Sequence, residues 1–427
     1  MTKHVLSSGR LAGRARFAFA ALLAAAALAA AGCGQEAGGG GGNAGGDDSG
    51  PIVVGSILDA TGPLNIYGKP MTDATRLAIN DINQHGGVLG RKLKLVFYDA
   101  QSAQDKYTQY ANQLALKDKA AVVMGGITSA SREAIRPIFD RNRVLYFYNE
   151  QYEGGVCDKN TFNTGVVPSQ QLQALIPWTV QNAGRRLYVI AADYNYGQIS
   201  AEWVKRYAKE AGGQVVRTKF VPLESSDFGS IIDDLQRTKP DAVVSLLVGG
   251  NHIPFYRDFA SVGLNKTIKV VSPTFGLGNE QVVLGGRAAK GVTVAYPYFQ
   301  ELDNPTNKAW ASTWHQRYGE DYPYITDSAS TVWTGWHMWA EAVKKAGSLD
   351  RAKVIKALES GISVDGPSGK VTLDGKSHHV TQNVSIAQAD GEKGFKVMQT
   401  RDAVPPSYEQ SVCDLVSKPT TNKQFTP

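Results

Sequence analysis

Apolar residues in this chain come in short runs rather than in alternation. IVVGSILD at 52–59, AAVVMGG at 120–126 and VLYFY at 144–148 are apolar almost throughout, as expected of strands covered on both faces. KLKLVFYDA at 92–100 reads as a further strand. Between them the period changes to that of a helix. PMTDATRLAINDIN at 70–83 puts Ala74, Leu77, Ala78 and Ile82 on one face and stops at Gly86-Gly87, and YTQYANQLALKD at 107–118 is a second helix. Strand alternating with helix predicts a parallel sheet flanked by helices.

The pattern then starts again. RLYVIAADY at 186–194, QVVRTKFVPL from 214, DAVVSLLVG at 241–249, TIKVVSPTF from 267 and GVTVAYPYF at 291–299 read as strands. PSQQLQALIPWTVQ, ISAEWVKRYAKEAG, FGSIIDDLQRTK and HIPFYRDFASVGL read as the helices beside them. At 427 residues the chain exceeds what one core supports, so two such α/β lobes are expected. Past residue 300 the alternation is less clean. NKAWASTWHQRYG at 307–319, SASTVWTGWHMWAEAVKKAG at 328–347 and RAKVIKALESG are helix patterns, GKVTLDG and NVSIAQAD are strands, and the last segment to Pro427 has no evident period.

Lys3, Arg10, Arg14 and Arg16 precede the apolar run FAFAALLAAAALAAAGC at 17–33, the charged start, greasy middle and small-residue end of an export signal. Residues 34–50, GQEAGGGGGNAGGDDSG, have nothing to bury and read as a flexible tether. Hydrophobic content of 42% with 20% charged residues excludes disorder of the whole. Loss of residues 1–32 removes four positive charges and takes the formal charge from +6 to +2, which with no Lys/Arg block excludes a nucleic-acid role. Cys157 and Cys413 remain after Cys33; an even pair in an exported protein reads as a disulfide, and otherwise as two buried thiols.

Signs of catalysis are missing from the sequence. It has no G-x-S-x-G, no Walker-type loop and no G-x-G-x-x-G after the first strand. His378 and His379 read as part of a solvated turn rather than a metal pair, and no metal or other cofactor is expected. The tryptophans at 310, 314, 333, 336 and 339 could stack on bases, but their spacing of three and four fits helix faces packed on a sheet. What stands out instead is polarity at strand ends. GITSAS after AAVVMGG offers Thr128 and Ser129, and VLYFY runs into Asn149, Glu150, Gln151 and Tyr152. Any one Ser or Thr there could be a helix cap, but the clustering points to a ligand cleft. The candidate contacts are Thr128, Ser129, Tyr148, Glu150 and Tyr152 on one side, and Asp193, Tyr196 and Gly249 on the other. Glu150 carries the most information, because a buried carboxylate needs a partner that donates N–H groups or carries positive charge.

GITSASREAIRPIF at 126–139, YFYNEQYEGG at 146–155, VIAADYNYGQ at 189–198 and DGPSGKVTLD at 365–374 resemble the type I periplasmic substrate-binding proteins of ABC importers, in the branched-chain amino acid class and nearest its urea and short-chain-amide branch. The resemblance runs from about 52 to about 400. It implies two doubly wound parallel-sheet lobes joined by a three-segment hinge: 51–168 with 302–364, and 169–301 with 365–400, followed by a tail, 401–427. It implies a monomer that closes on a small polar nitrogen-containing solute, alters no bond in it, and passes it to a permease. Ser129 matches the hydroxyl of the first-lobe loop, Tyr148 the aromatic after the strand, and Tyr196 the second-lobe aromatic that covers the ligand. Ala31-Gly32-Cys33 resembles a lipobox with Ala30 in place of the usual Leu, which implies lipidation of Cys33 as the sole membrane attachment and an extracytoplasmic location. Ile127 and the pair Asn149-Glu150 depart from the branch, implying a larger and more acidic pocket. Amino acids and guanidine-like compounds are therefore alternative ligands, and a ligand-sensing regulator of the same fold is an alternative role.

Overall fold

The computed structural model describes residues 50–427, so Cys33 and the leading segment lie outside the described residues. The first sheet is formed early in the chain. Its region contains Ile52–Leu58 (β1), Leu93–Asp99 (β2), Val122–Gly125 (β3), Leu145–Tyr148 (β4), Val156–Asp158 (β5) and Thr161–Asn163 (β6). Five of these run parallel in the order β2-β1-β3-β4-β6. Successive residues point to opposite faces, and both faces are apolar: Val54, Leu58, Met124 and Phe147 join one core cluster, while Ile57, Val123, Tyr146 and Tyr148 join another. Burial on both sides is the reason the strands carry unbroken apolar runs.

The second sheet repeats the plan. Arg186–Ala192 (β7), Gln214–Val221 (β8), Ala242–Leu246 (β9), Lys269–Val271 (β10) and Thr293–Tyr296 (β11) are parallel in the order β8-β7-β9-β10-β11. The sheet does not end there. Ser363–Gly366 (β12), Gly369–Leu373 (β13), Val380–Ala389 (β14) and Phe395–Val404 (β15) extend it antiparallel, with β14 against β11. The two parallel-sheet lobes are as expected, and the second carries this antiparallel extension in addition. β15 was not expected as a strand at all. It is an edge strand whose residues are mostly exposed, so it lacks the apolar run that marks buried strands.

The chain passes between the halves three times: after β6, after β11, and between the helix Arg351–Glu359 and β12. The helix Asp327–Ala346 lies along the helix Asn65–Gln84, with Trp336 Nε1 3.4 Å from Thr75 Oγ1. Trp310, Trp314, Trp336 and Trp339 are buried in the core, as their spacing predicts, and Trp333 is half-buried.

The C-terminal segment makes a further crossing, back from β15 to the first half. It is ordered, not aperiodic: a short helix, Ser407–Val412, precedes Asn422–Gln424 (β16), which pairs antiparallel with β5. Cys157 and Cys413 are disulfide-bonded, with Cα atoms 5.6 Å apart. Buried Glu409 accepts from Gly155 N at 3.2 Å and Ser169 Oγ at 2.8 Å. The histidine pair is also corrected. His378 and His379 are buried rather than solvated; His378 stacks on Phe162 and lies 3.1 Å from Glu359 Oε1, and His379 meets the Tyr152 hydroxyl.

Candidate functional site

In both sheets the second strand lies outside the first, so the winding direction reverses beside β1 and again beside β7. Loops at the carboxyl ends of strands on either side of such a reversal separate and leave a crevice. The two crevices face each other across one small cavity of about 30 Å³. Its lining comes from loops and helix starts that follow the carboxyl ends of strands in both sheets. Tyr67 follows β1, Ile127 and Ser129 follow β3, and Glu150 and Gln151 follow β4. Tyr194 and Tyr196 follow β7, Val248 follows β9, and Thr274 and Leu277 follow β10.

The backbone at these ends is shaped for the purpose. Gly125 closes β3 with φ +148°, and a Cβ there would sit 2.1 Å from Ile57 O, so only glycine lets the chain turn so close to β1. Thr128 then caps the helix Ser129–Arg141, its hydroxyl accepting from Ser131 N at 3.0 Å. That places Ser129 at the cavity edge. Its hydroxyl donates to Glu153, whose carboxylate also takes Arg132 Nη2 at 2.7 Å and Gln424 Nε2 at 2.6 Å. Arg132 is fully buried, pairs with Glu153, and lies over the rings of Tyr148 and Tyr152.

Across the cavity the walls touch. Tyr67 Oη accepts from Gly249 N at 2.7 Å and lies 3.5 Å from Glu280 Oε1, linking the first half to the second. Trp203 Nε1 donates to Glu153 O at 3.0 Å, a second link.

The cavity is acidic and aromatic. Glu150 is buried; its Oε1 accepts from Gln151 N at 3.0 Å, and its Oε2 has no hydrogen-bond partner among the described residues. Gln151 Oε1 is likewise buried and unpartnered. Burial pushes the Glu150 carboxyl up to about 7, opposed by the nearby Ser328 hydroxyl and the Gln151 N–H. Asp327 is pushed well above the usual carboxylate range by burial and by the charge of Glu150. Burial takes Glu280 up to about 7 as well, although its Oε2 accepts from Gly276 N at 2.7 Å and Gly278 N at 3.0 Å. Among the described residues no lysine, arginine or histidine lines the cavity. Among the described residues no cluster of His, Cys, Asp or Glu has the makings of a metal site.

Of the residues expected from sequence, Ser129, Glu150 and Tyr196 line the cavity together. Thr128 serves as the cap just behind it. Tyr148 sits beneath, its hydroxyl donating to Ile127 O at 2.6 Å and holding the loop in place. Tyr152 points away toward His379, and Val156 N donates to its hydroxyl at 3.1 Å. Asp193 is exposed and accepts from Gln198. Gly249 contributes its N–H to Tyr67 rather than to the cavity. Asn149, expected to widen the pocket, is turned to Thr164 instead, its Nδ2 donating at 2.7 Å. Tyr67, Tyr194, Val248, Thr274 and Leu277 were not anticipated. Tyr194 could have been found, since it lies in the same DYNYGQ loop as Tyr196; Tyr67 carries no signal, being one aromatic in a helix.

Residues 51–394 match the model of the family described as periplasmic binding protein. The chain is 22% identical over 349 residues to Leu/Ile/Val-binding protein homolog 6 of Brucella melitensis, covering 79% of this chain and 88% of that one. It is 24% identical over 324 residues to the leucine-, isoleucine-, valine-, threonine- and alanine-binding protein of Pseudomonas aeruginosa, covering 74% and 84%. Among solved structures it is similar to the solute binding protein of an ABC transporter from Rhodopseudomonas palustris BisB5 in complex with 3,4-dihydroxy benzoic acid. The TM-score there is 0.75 at 25% identity, covering 84% of this chain and 99% of that one. The chain belongs to the periplasmic binding protein family, in its type I, branched-chain amino acid class. It is a solute-binding protein of the transport kind, not an enzyme, and its place of work is the periplasm.

Proposed function

We propose that this protein captures a small, polar, nitrogen-bearing solute, urea, a short-chain amide or a related compound, and presents it to the permease of an ABC importer. One observation carries the choice of solute. Glu150 Oε2 and Gln151 Oε1 belong to successive residues of the lining, are buried, and accept no geometrically formed hydrogen bond among the described residues, although the Ser328 hydroxyl lies near Glu150. A buried acceptor left unpaired costs about 1–3 kcal/mol, and a solute with two N–H groups satisfies both. A benzoate-like anion, as bound by the Rhodopseudomonas protein, would meet a carboxyl and, among the described residues, no cation in the lining.

Lipidation of Cys33 would keep the protein at the membrane, with residues 34–50 as its tether. The hinge would divide the lobes as 51–168 with 302–364 and 169–301 with 365–400; the last boundary falls inside β12. An amino acid is a second reading, favoured by the amide end of the helix Ser129–Arg141 at the cavity edge, where a carboxylate could accept while the ammonium group meets Glu150. Thermal unfolding against urea, formamide, acetamide and a set of amino acids tests the proposal. A true solute at a hundred times its dissociation constant should stabilise by about 2.7 kcal/mol. If none of them shifts the transition, the reading fails.

A further inference from the structure

Building on that reading, we infer that the solute is held as a cation, a flat guanidinium or amidinium group bound at Glu150 in a tyrosine-lined cavity. Three features of the cavity lead there. The first is the imbalance of charge. Glu150 lines it, Asp327 stands beside Glu150, and Glu280 lies behind Tyr67, yet among the described residues no positive side chain shares the lining. Arg132, the buried cation nearest in sequence to the Ser129 edge, is already paired with Glu153.

The second is the acceptor geometry. Glu150 Oε2 and Gln151 Oε1 come from neighbouring residues on one strand end, and both lack partners. A planar cation has an N–H to offer each, and its charged bond to the carboxylate is roughly twice as strong as a neutral one. The third is the aromatic surround. Tyr67, Tyr194 and Tyr196 line the cavity, and the rings of Tyr194 and Tyr196 lie 6.0 Å apart, tilted by 36°. A tyrosine ring met on its face favours a cation over a neutral molecule of equal shape. Urea and guanidinium are nearly the same size and differ in charge, so this cavity should tell them apart.

The groups facing Glu150 are Asp327 from the helix Asp327–Ala346, Tyr148 and Gln151 from its own segment, Tyr67 from the helix after β1, and Tyr194 and Tyr196 from the opposite wall. The tyrosines stay neutral across the working range, since burial raises each of them. Glu150 and its neighbour Asp327 are therefore the groups whose charge can change, and a proton on Glu150 competes with a cationic solute.

Calorimetric titration of the mature protein with guanidinium, urea, acetamidinium and acetamide, at pH 8 and pH 5.5 and at constant ionic strength, tests this. At pH 8 each cation should bind at least tenfold more tightly than its neutral counterpart. At pH 5.5 that preference should shrink severalfold, and Glu150→Gln should abolish it at both pH values. The wild-type comparison stands by itself if the variant fails to fold. Urea or acetamide binding as tightly as the cations at pH 8 would overturn the inference and leave the nitrogen-bearing reading intact. Binding of none of the four would end both.

Discussion

The two walls of the cavity are built on the same strand order yet differ in what they bring to it. The first, from the ends of β3 and β4, supplies Ser129, Glu150 and Gln151, the polar groups with specific demands. The second, from β7, β9 and β10, supplies Tyr194, Tyr196, Val248, Thr274 and Leu277, mostly surface that covers. Support differs in the same way. Behind the first wall stand a buried Arg132–Glu153 pair, the Tyr148 prop, and a C-terminal segment fastened by β16 and a disulfide. A repeated fold thus gives one wall that brings the polar groups and a second that brings mostly apolar and aromatic surface, with Tyr67 joining the two.

The comparison can be broken most severely from behind. Replacing Cys157 and Cys413 together by serine opens a link across 256 residues and should lower unfolding stability by roughly 2–5 kcal/mol. It should also weaken solute binding, because the segment it frees holds the loop carrying Glu150. Thermal melts and calorimetry would show both, and binding at wild-type strength would mean the fastening is irrelevant to the site. Thiol titration of the denatured, unreduced mature protein should find neither cysteine reactive.

Next comes Glu150 itself. Its carboxyl rises from 4.5 in the unfolded chain to about 7 in the fold, so the ionised form disfavours folding. The stability it contributes to the solute-free protein is full below pH 4.5 and is lost as pH rises through 7. Glu150→Gln escapes that loss. The variant should therefore exceed the wild type by on the order of 3 kcal/mol at pH 8 and match it near pH 4, as read from thermal unfolding. At the same time it should bind solute more weakly, so that stability and recognition move in opposite directions. A variant less stable than the wild type at pH 8 would show that Glu150 is already paired.

Tyr67→Phe sharpens the boundary between the walls. It removes the acceptor of Gly249 N and should weaken binding about tenfold, near 1.4 kcal/mol, by loosening closure while leaving every other group in the cavity in place. Unchanged affinity would remove Tyr67 from the account. The smallest effect is expected at Asp193, exposed and outside the cavity; Asp193→Asn should shift stability and affinity by less than about 0.5 kcal/mol.

Much of this was readable in advance because burial writes itself into sequence. β1, β3, β4 and β9 are covered on both faces and show as apolar runs. Three-residue strands such as β5 and β6 are too short to carry a pattern, and β15 is too exposed. In the site, position along a strand end was readable but direction was not. Glu150 and Tyr196 enter the cavity, whereas Tyr148 and Tyr152, placed by the same logic, turn to Ile127 O and His379. Tyr148, Glu150 and Tyr152 share one parity, so strand alternation does not separate them; the irregular backbone after β4 does, and polarity alone does not record its path. The buried histidines were misjudged for a related reason: a turn-like string says nothing of the Phe162 and Tyr152 rings that cover it.

The most direct measurement is diffraction from crystals grown with whichever solute gives the largest thermal shift. The account predicts density between the two walls, with nitrogens within hydrogen-bond distance of Glu150 Oε2 and Gln151 Oε1 and the Tyr194 and Tyr196 rings against it. Density outside this cavity, or a solute inside it that turns no N–H toward Glu150, would contradict the account.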